Sequence, residues 1–173
     1  LLNGIACAAA DALAAGLERV LILDFDAHNG NGTQEAFWAD RRVLYVSIHQ
    51  SPLFPDTGSI REQGGDQGTG YTINLPLPPC SGDQSYQYLM DRVIVPAADS
   101  FRPELVLLSA GYDSHWRDPL TSLSASLQGL TTVAAQAVAL ADRHCGGRVV
   151  AVLEGGYDLE ALALCVGNLA EVL

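Results

Sequence analysis

The stretch RVLILDFDAHNGNG, residues 19–32, decides the fold class of this chain. Its first part, Arg19–Asp24, is a run of branched aliphatic side chains that ends in a carboxylate. A short continuous apolar run of this kind is typical of a strand that is buried on both faces of a parallel sheet. The polar part that follows then lies at the carboxyl end of the strand, where ligands bind in open parallel sheets.

Other stretches repeat the aliphatic character of this first strand, and they are Val43–His49, Leu105–Ser109 and Arg148–Leu153. Helical patterns precede and separate these strands, at residues 2–15, 84–99, 126–144 and 158–172. Strands that alternate with helices of this length indicate βαβ units. The sequence therefore predicts an α/β fold with a mostly parallel sheet and helices on both faces, in a single domain over residues 1–173.

The composition excludes several classes of protein. With 49% hydrophobic and 17% charged residues, the chain can bury a core. Nine basic against twenty acidic residues give a net charge of −11, which argues against binding to nucleic acid, because such binding needs clustered Lys and Arg. No apolar run reaches the ~18–20 residues that a bilayer-spanning helix needs. The four cysteines are widely spaced, which indicates reduced thiols and a cytoplasmic location.

Side chains that can carry chemistry follow the first predicted strand. In an extended chain, Asp24, Asp26 and His28 point to the same side. Two carboxylates and an imidazole form a ligand set that suits a divalent metal such as zinc. The same stretch also fits a second interpretation, in which Asn31 or Thr33 caps a helix and the carboxylates hydrogen-bond to the loop.

The other predicted strands also end in polar residues. Asp113 follows the third strand, and Tyr157 follows the fourth after two glycines that allow a sharp turn. Ser47 and His49 lie in the second strand, which leads into residues 50–69, a segment rich in proline and glycine. A loop of that length is typically functional or disordered. Because parallel strands end at one edge of a sheet, the sequence predicts a single site there.

Five segments of the sequence together resemble a known family. They are DFDAHNGNGTQ (24–34), SIHQSPLFPDTG (47–58), GTGYTINLPLPP (68–79), SAGYDSHWRDPL (109–120) and LEGGYDL (153–159). In this order they resemble the zinc-dependent histone deacetylase family, in particular its bacterial histone deacetylase-like amidohydrolases, over essentially the whole chain. The resemblance implies an arginase/deacetylase-like fold and zinc-dependent hydrolysis of an acetyl or other acyl amide on a lysine side chain or a polyamine.

The resemblance assigns roles to individual residues. It implies that Asp26, His28 and Asp113 hold zinc, and that Tyr157 donates a hydrogen bond to the oxyanion that develops on the substrate carbonyl. Three protein ligands leave one coordination position open, as catalytic zinc requires. The expected partner is an acetylated lysine peptide, an acetylated polyamine or another small acetylated amine, and neither nucleic acid nor a membrane.

The resemblance also implies sites around the zinc. A structural monovalent cation such as K⁺ is expected at Asp24, Ser47 and Ile48, with the backbone carbonyls of Asp26 and His28. A second, outer cation is expected among backbone groups of Phe37, Asp40, Val43 and Tyr71. Substrate is expected to contact Phe54, as an aromatic wall of the acyl-lysine tunnel, together with Gly155 and Gly156.

One element of the family pattern has no counterpart here. The family's two adjacent histidines, which act as general base and electrostatic partner, lie upstream of the DxDxH strand, and none of the four histidines of this chain has a histidine neighbour. Because the chain starts at Leu1 and its single methionine is Met90, we expect that an N-terminal part is missing and that the chain alone is inactive.

Two alternatives stay open. The first is a non-catalytic relative or binding module that keeps the fold and the metal. The second is an arginase-like hydrolase with two manganese ions, whose chemistry needs additional metal-bridging carboxylates. The residues after Asp113 are Ser114 and His115, with no carboxylate two positions on, and this argues against the second alternative.

Overall fold

The computed structural model describes residues 2–173, and five strands form its sheet. The strands are β1 (Val20–Asp24), β2 (Val43–Gln50), β3 (Thr72–Leu77), β4 (Leu105–Ala110) and β5 (Val149–Leu153). Their order across the sheet is β3-β2-β1-β4-β5, so the first strand of the chain lies in the middle. All neighbouring pairs are parallel, and the carboxyl ends of all strands therefore lie at one edge.

The helices described are α1 (Gly4–Ala14), α2 (Asn31–Ala36), α3 (Asp83–Leu89), α4 (Val95–Phe101), α5 (Leu127–Cys145) and α6 (Leu159–Val172). A π-helical turn, Met90–Ile94, joins α3 to α4. The side chains of Asn3, Ser126 and Asp158 cap α1, α5 and α6, because each accepts a hydrogen bond from a backbone N–H of the first turn. None of these helices is both long enough and apolar enough to cross a membrane.

Helices cover both faces of the sheet, as the sequence predicts. Leu21 and Leu23 of β1 face a large apolar cluster that includes side chains of α3, α5 and α6. Val20 and Ile22 alternate with them and face a smaller cluster that contains Ile5 of α1. Every residue of β1 is buried, which is why its sequence is aliphatic without interruption.

Strand β3 was not predicted, and a helix at α2 was foreseen only in the interpretation in which Asn31 or Thr33 caps it. Neither does so, because the N-cap residue is Gly30 and no side chain caps α2. Polar residues at Thr72 and Asn74 break the apolar pattern of β3, and Pro76 removes a backbone donor. Proline is tolerated because β3 is an edge strand that pairs only with β2. Helix α2 has six residues, too few to show a helical period in sequence.

Candidate metal centre

The register of the sheet places the ends of three strands side by side. Asp24, the last residue of β1, is paired with Ser47 of β2 on one side and with Ser109 of β4 on the other. Ser109 is in turn paired with Val152 of β5. The segments that leave β1, β4 and β5 are therefore neighbours, although they are far apart in the sequence.

Asp26, His28 and Asp113 meet at this edge. One potential ligand atom from each lies within 4.8 Å of the other two, and no other group of three such residues within 2–173 does so. The His28 Nδ1 atom is 3.0 Å from Asp26 Oδ1 and 2.8 Å from Asp113 Oδ2. The convergence predicted for these side chains is thus present in the structure.

Backbone amides fix both carboxylates in orientation. The Ala27 N–H donates to Asp113 Oδ1 at 2.8 Å, and the Gly155 N–H donates to Asp26 Oδ2 at 2.8 Å. The other oxygen of Asp113, Oδ2, is buried and has no hydrogen bond of good geometry. A buried carboxylate oxygen without a donor is costly unless a cation or a protonated group lies beside it.

The two carboxylates of the cluster are stabilised by a positive charge beside them. Burial, together with the nearby charge of Asp26, raises the pKa of Asp113. The carboxylates of Asp113 and Asp26, which lie 2.8 and 3.0 Å from His28 Nδ1, raise the pKa of His28 to about 10. A proton on His28 or a divalent cation satisfies both carboxylates, and a metal ion binds the neutral ring. One nitrogen and two oxygens at this spacing fit zinc.

Asp24 is not a member of this cluster, which corrects the expectation that residues 24, 26 and 28 share one side. Strand β1 ends at Asp24 and the chain then bends, so the alternation of an extended strand stops there. Asp24 is only 3% exposed. Its Oδ2 accepts a hydrogen bond from the Tyr45 hydroxyl at 2.9 Å, and its Oδ1 accepts one from the Asp26 N–H at 3.2 Å.

Within residues 2–173, the side chains that act on the charge of Asp24 bear oxygen atoms, and no basic side chain is among them. Burial, and then the charge of Asp26, raise the pKa of Asp24 well above its ordinary range. Ser47 lies opposite in the register, and Ile48, the next residue, is fully buried. The structure therefore brings Asp24, Ser47 and Ile48 together at the junction of β1 and β2.

The glycine turn after β5 passes close to the two carboxylates. A Cβ atom at Gly155 would lie 2.6 Å from Asp26 Oδ2 and 2.7 Å from Asp113 Oδ2, so no side chain fits there. Gly156 has a φ of +140°, which other residues rarely adopt. These two constraints explain the glycine pair that sequence analysis associated with a sharp turn.

Tyr157 follows this turn and is half exposed. Burial, and then the negative charges of Asp113 and Asp26, raise its pKa, so its phenol stays protonated at neutral pH. The charge effect places the phenol within electrostatic reach of the cluster. Phe54 lies on the loop after β2 and is 77% exposed, so its ring faces solvent rather than the core.

That loop, residues 50–69, is held by a glutamate that sequence analysis did not identify. The two carboxylate oxygens of Glu62 accept hydrogen bonds from the Gly58 and Ser59 N–H groups at 3.1 and 3.0 Å. The Gln34 side chain of α2 donates to the same carboxylate at 2.7 Å. An acidic residue within a glycine-rich segment was the available signal, but its partner Gln34 is distant in sequence.

His49 also anchors the loop. It is buried, and its Nε2 lies 3.0 Å from the Gly58 carbonyl oxygen, which requires that Nε2 carry the proton. Burial lowers the pKa of His49, which favours this neutral form. Its Nδ1 then accepts a hydrogen bond from the Ser47 hydroxyl at 2.9 Å.

Backbone groups at the positions of the expected outer cation are engaged with one another. The Phe37 carbonyl accepts a hydrogen bond from the Asp40 N–H, and the Asp40 carbonyl accepts one from the Val43 N–H. The Tyr71 carbonyl accepts a hydrogen bond from the Tyr45 N–H at 2.9 Å. Each of these carbonyls keeps one lone pair for a cation, and the outer site stays a prediction.

Comparison with known proteins identifies the family and supports the fold. The family model described as histone deacetylase domain matches residues 1–173. A probable deacetylase of Archaeoglobus fulgidus is 49% identical over 92% of this chain and 44% of its own length. The histone deacetylase-like amidohydrolase of Pseudomonas aeruginosa is 39% identical over 87% of this chain and 40% of its own length.

A solved structure has the same architecture. The HD domain of HDA15 superposes with a TM-score of 0.93 at 36% identity, covering 99% of this chain and 48% of that one. The chain thus spans less than half the length of these relatives, and the match confirms the arginase/deacetylase-like sheet predicted from the sequence. The chain belongs to the histone deacetylase domain family.

Proposed function

We propose that this chain forms the metal-binding part of a zinc-dependent amidohydrolase site, with Asp26, His28 and Asp113 as the zinc ligands. The observation that carries the proposal is the convergence of these three side chains around the buried Asp113 Oδ2. The family is one of deacetylases, and its members named above include an amidohydrolase. The substrate class proposed is an acetylated lysine peptide or an acetylated polyamine, in the cytoplasm.

A bound zinc ion supplies a Lewis acid for the amide carbonyl and brings the pKa of a coordinated water to about 7. The protein supplies the rigid ligand set. Asp26 and Asp113 are oriented by backbone N–H groups from Gly155 and Ala27, so both carboxylates are held in place before any substrate binds. This preorganisation avoids the cost of reorientation during the reaction.

Tyr157 is the proposed donor to the oxygen that gains negative charge. The raised pKa of Tyr157 keeps its hydroxyl protonated at neutral pH. The phenol is therefore an uncharged hydrogen-bond donor. Gly155 and Gly156 let the backbone approach the metal centre closely enough to place this side chain at the rim. Phe54, exposed on the loop after β2, is proposed to contact the acyl-lysine chain.

Asp24, Ser47 and Ile48 are proposed to hold a monovalent cation, with K⁺ as the expected ion. A buried carboxylate with only oxygen-bearing neighbours suits a hard monovalent ion, whereas the adjacent centre offers nitrogen to zinc. The ion would compensate the charge of Asp24 beside that of Asp26.

A second candidate, a metal-binding domain that is not catalytic on its own, is favoured by the positions of the histidines. His28 belongs to the metal centre, His49 is locked between Ser47 and Gly58, and His144 lies 2.7 Å from Asp99 away from the site. His115 is buried and its Nδ1 accepts the Arg117 N–H. None is free to act as the general base, so we expect the 173-residue chain alone to turn over little substrate.

Metal analysis of the purified 173-residue chain tests the metal assignment. We expect one zinc per chain, whereas two manganese ions would support the arginase-like alternative. The product of the complete reading frame should hydrolyse an acetyl-lysine reporter, and Tyr157→Phe should lower kcat by ~10²–10³-fold because one oxyanion donor is lost. A zinc-loaded complete product that hydrolyses neither acetyl-lysine nor acetylpolyamine would support the non-catalytic candidate.

A further inference from the structure

Two consecutive residues of the loop that follows β4 hold the Tyr157 N–H and the side chain of the residue after it. The Tyr157 N–H donates to Asp118 Oδ2 at 2.8 Å. The next residue, Asp158, has its Oδ2 3.1 Å from the Nε of Arg117. This loop also contains Asp113, so the segment that supplies a proposed metal ligand also holds the turn that presents the phenol.

Asp118 uses both carboxylate oxygens on backbone donors. Its Oδ1 accepts the Leu120 N–H at 2.9 Å while its Oδ2 accepts the Tyr157 N–H. Its own N–H donates to the His115 carbonyl at 2.8 Å. The residue is 8% exposed, and a carboxylate so buried is retained because two donors satisfy it.

The turn needs the contact with Asp118 because glycine has no side chain that could hold the following backbone in place. Gly155 is fixed on the side of β5, where its N–H donates to Asp26 and its carbonyl accepts the Tyr112 N–H. Gly156, at a φ of +140°, has no side chain to restrict the path between that point and Tyr157. The hydrogen bond from the Tyr157 N–H to Asp118 is therefore the contact that fixes the backbone position from which the Tyr157 side chain extends.

We infer that Asp118 is a positioning residue for the Tyr157 phenol, with Arg117 holding the following residue. The inference deepens the proposed function, since it concerns the same oxyanion donor and rests on that role of Tyr157. Asp118 joins the loop that carries Asp113 to the turn that carries Tyr157. The metal centre and the hydrogen-bond donor are thus parts of one framework.

The chemistry of the side chain explains why an aspartate is required. Two N–H donors need two acceptor oxygens, and an asparagine offers only one oxygen and places an NH₂ group against the second donor. Asp118→Asn keeps the size of the side chain and breaks one of the two contacts. The exposed Asp99, which pairs with Arg143 and His144, provides a matched control, Asp99→Asn.

The test labels Tyr157 with 3-fluorotyrosine and records its ¹⁹F NMR signal in the 173-residue chain. We expect one narrow resonance in the unsubstituted chain and in Asp99→Asn, and a broadened or split one in Asp118→Asn. Arg117→Ala, which removes exposed ion pairs, should broaden the signal less and guards against misfolding of the first variant. An unchanged signal in Asp118→Asn, with one zinc still bound, would overturn the inference.

Activity of the complete reading-frame product separates this inference from the proposed function. In an active product, Asp118→Asn should lower kcat by ~10-fold or more and change KM by less than ~3-fold, since a misplaced group costs rate rather than binding. If the unsubstituted product is inactive while the ¹⁹F signals behave as expected, the proposed function fails and the positioning role stands. Equal kcat values in an active product would refute the positioning role.

Discussion

Two buried carboxylate sites lie next to each other at the carboxyl end of β1, and they differ in what balances their charge. The centre of Asp26, His28 and Asp113 contains a titratable nitrogen between two carboxylates. The neighbouring Asp24 has a tyrosine hydroxyl and a backbone N–H and no basic group. The first arrangement suits a divalent metal that accepts nitrogen, and the second suits a monovalent cation, although Asp24 and Asp26 are only two positions apart in the chain.

Removing a ligand from the nitrogen-containing site should give the largest effect. Asp113→Asn takes away the charge of the buried ligand, and we expect zinc affinity to fall by more than ~100-fold, beyond what loss of an outer partner costs. Metal analysis after dialysis against a weak chelator measures this. Asp99→Asn, which removes a surface carboxylate, should retain one zinc per chain. Full zinc occupancy in Asp113→Asn would show that the two sites do not differ as described.

The pH dependence of stability should also separate the two sites. The pKa of His28 in the folded metal-free chain is about 10, above its ordinary 6.5. Its stabilising charge is therefore fully present below pH 6.5 and is lost as the pH rises toward 10. In the zinc-loaded chain the trend reverses, because zinc binds the neutral ring more tightly as protons become scarce.

Thermal unfolding between pH 6.5 and 9, with EDTA or with zinc, measures these opposite slopes in Tm. His28→Ala should remove the His28 contribution to both slopes. His144→Ala, at a surface ion pair, is the control and should keep them. Parallel slopes in the metal-free and zinc-loaded chains would contradict the assignment of His28 as a ligand.

At the site around Asp24 we expect a smaller effect, on the Tm. KCl at ~100 mM should raise the Tm of the chain by a few degrees relative to choline chloride, because an ion that binds only the folded state stabilises it. Asp24→Asn should abolish this difference and leave zinc binding intact. A Tm difference that persists in Asp24→Asn would place the cation elsewhere.

The sequence predicted the central strands and the convergence of Asp26, His28 and Asp113 for the same reason. The aliphatic runs of β1 and β4 predict strands by themselves. The polar residues directly after them must then lie at the ends of those strands. It could not predict β3, where Thr72, Asn74 and Pro76 give no strand pattern and only pairing with β2 makes the strand.

The sequence also could not predict contacts whose partners are far along the chain. The anchoring of the loop by Glu62 depends on Gln34, and the turn at Tyr157 depends on Asp118, 39 positions away. The expectation that Asp24 shares one side with Asp26 and His28 was wrong for a local reason. The alternation of an extended strand had been continued past Asp24, where β1 ends. Family resemblance separated Asp24 from the three proposed zinc ligands where the residue pattern alone did not.

The hydroxyl of Tyr45 offers the finest comparison of the two sites, since it donates to Asp24 and to no ligand of the metal centre. Tyr45→Phe leaves a buried carboxylate with one donor fewer, and we expect a loss of about 1–3 kcal/mol in the free energy of unfolding. Chemical denaturation measures it. The loss should be smaller in Asp24→Asn, because the charge that needed the donor is gone, and the coupling between the two substitutions gives the energy of that contact. If the two substitutions are additive, the hydroxyl does not stabilise the charge of Asp24, and that charge must be balanced by the Asp26 N–H and the proposed ion.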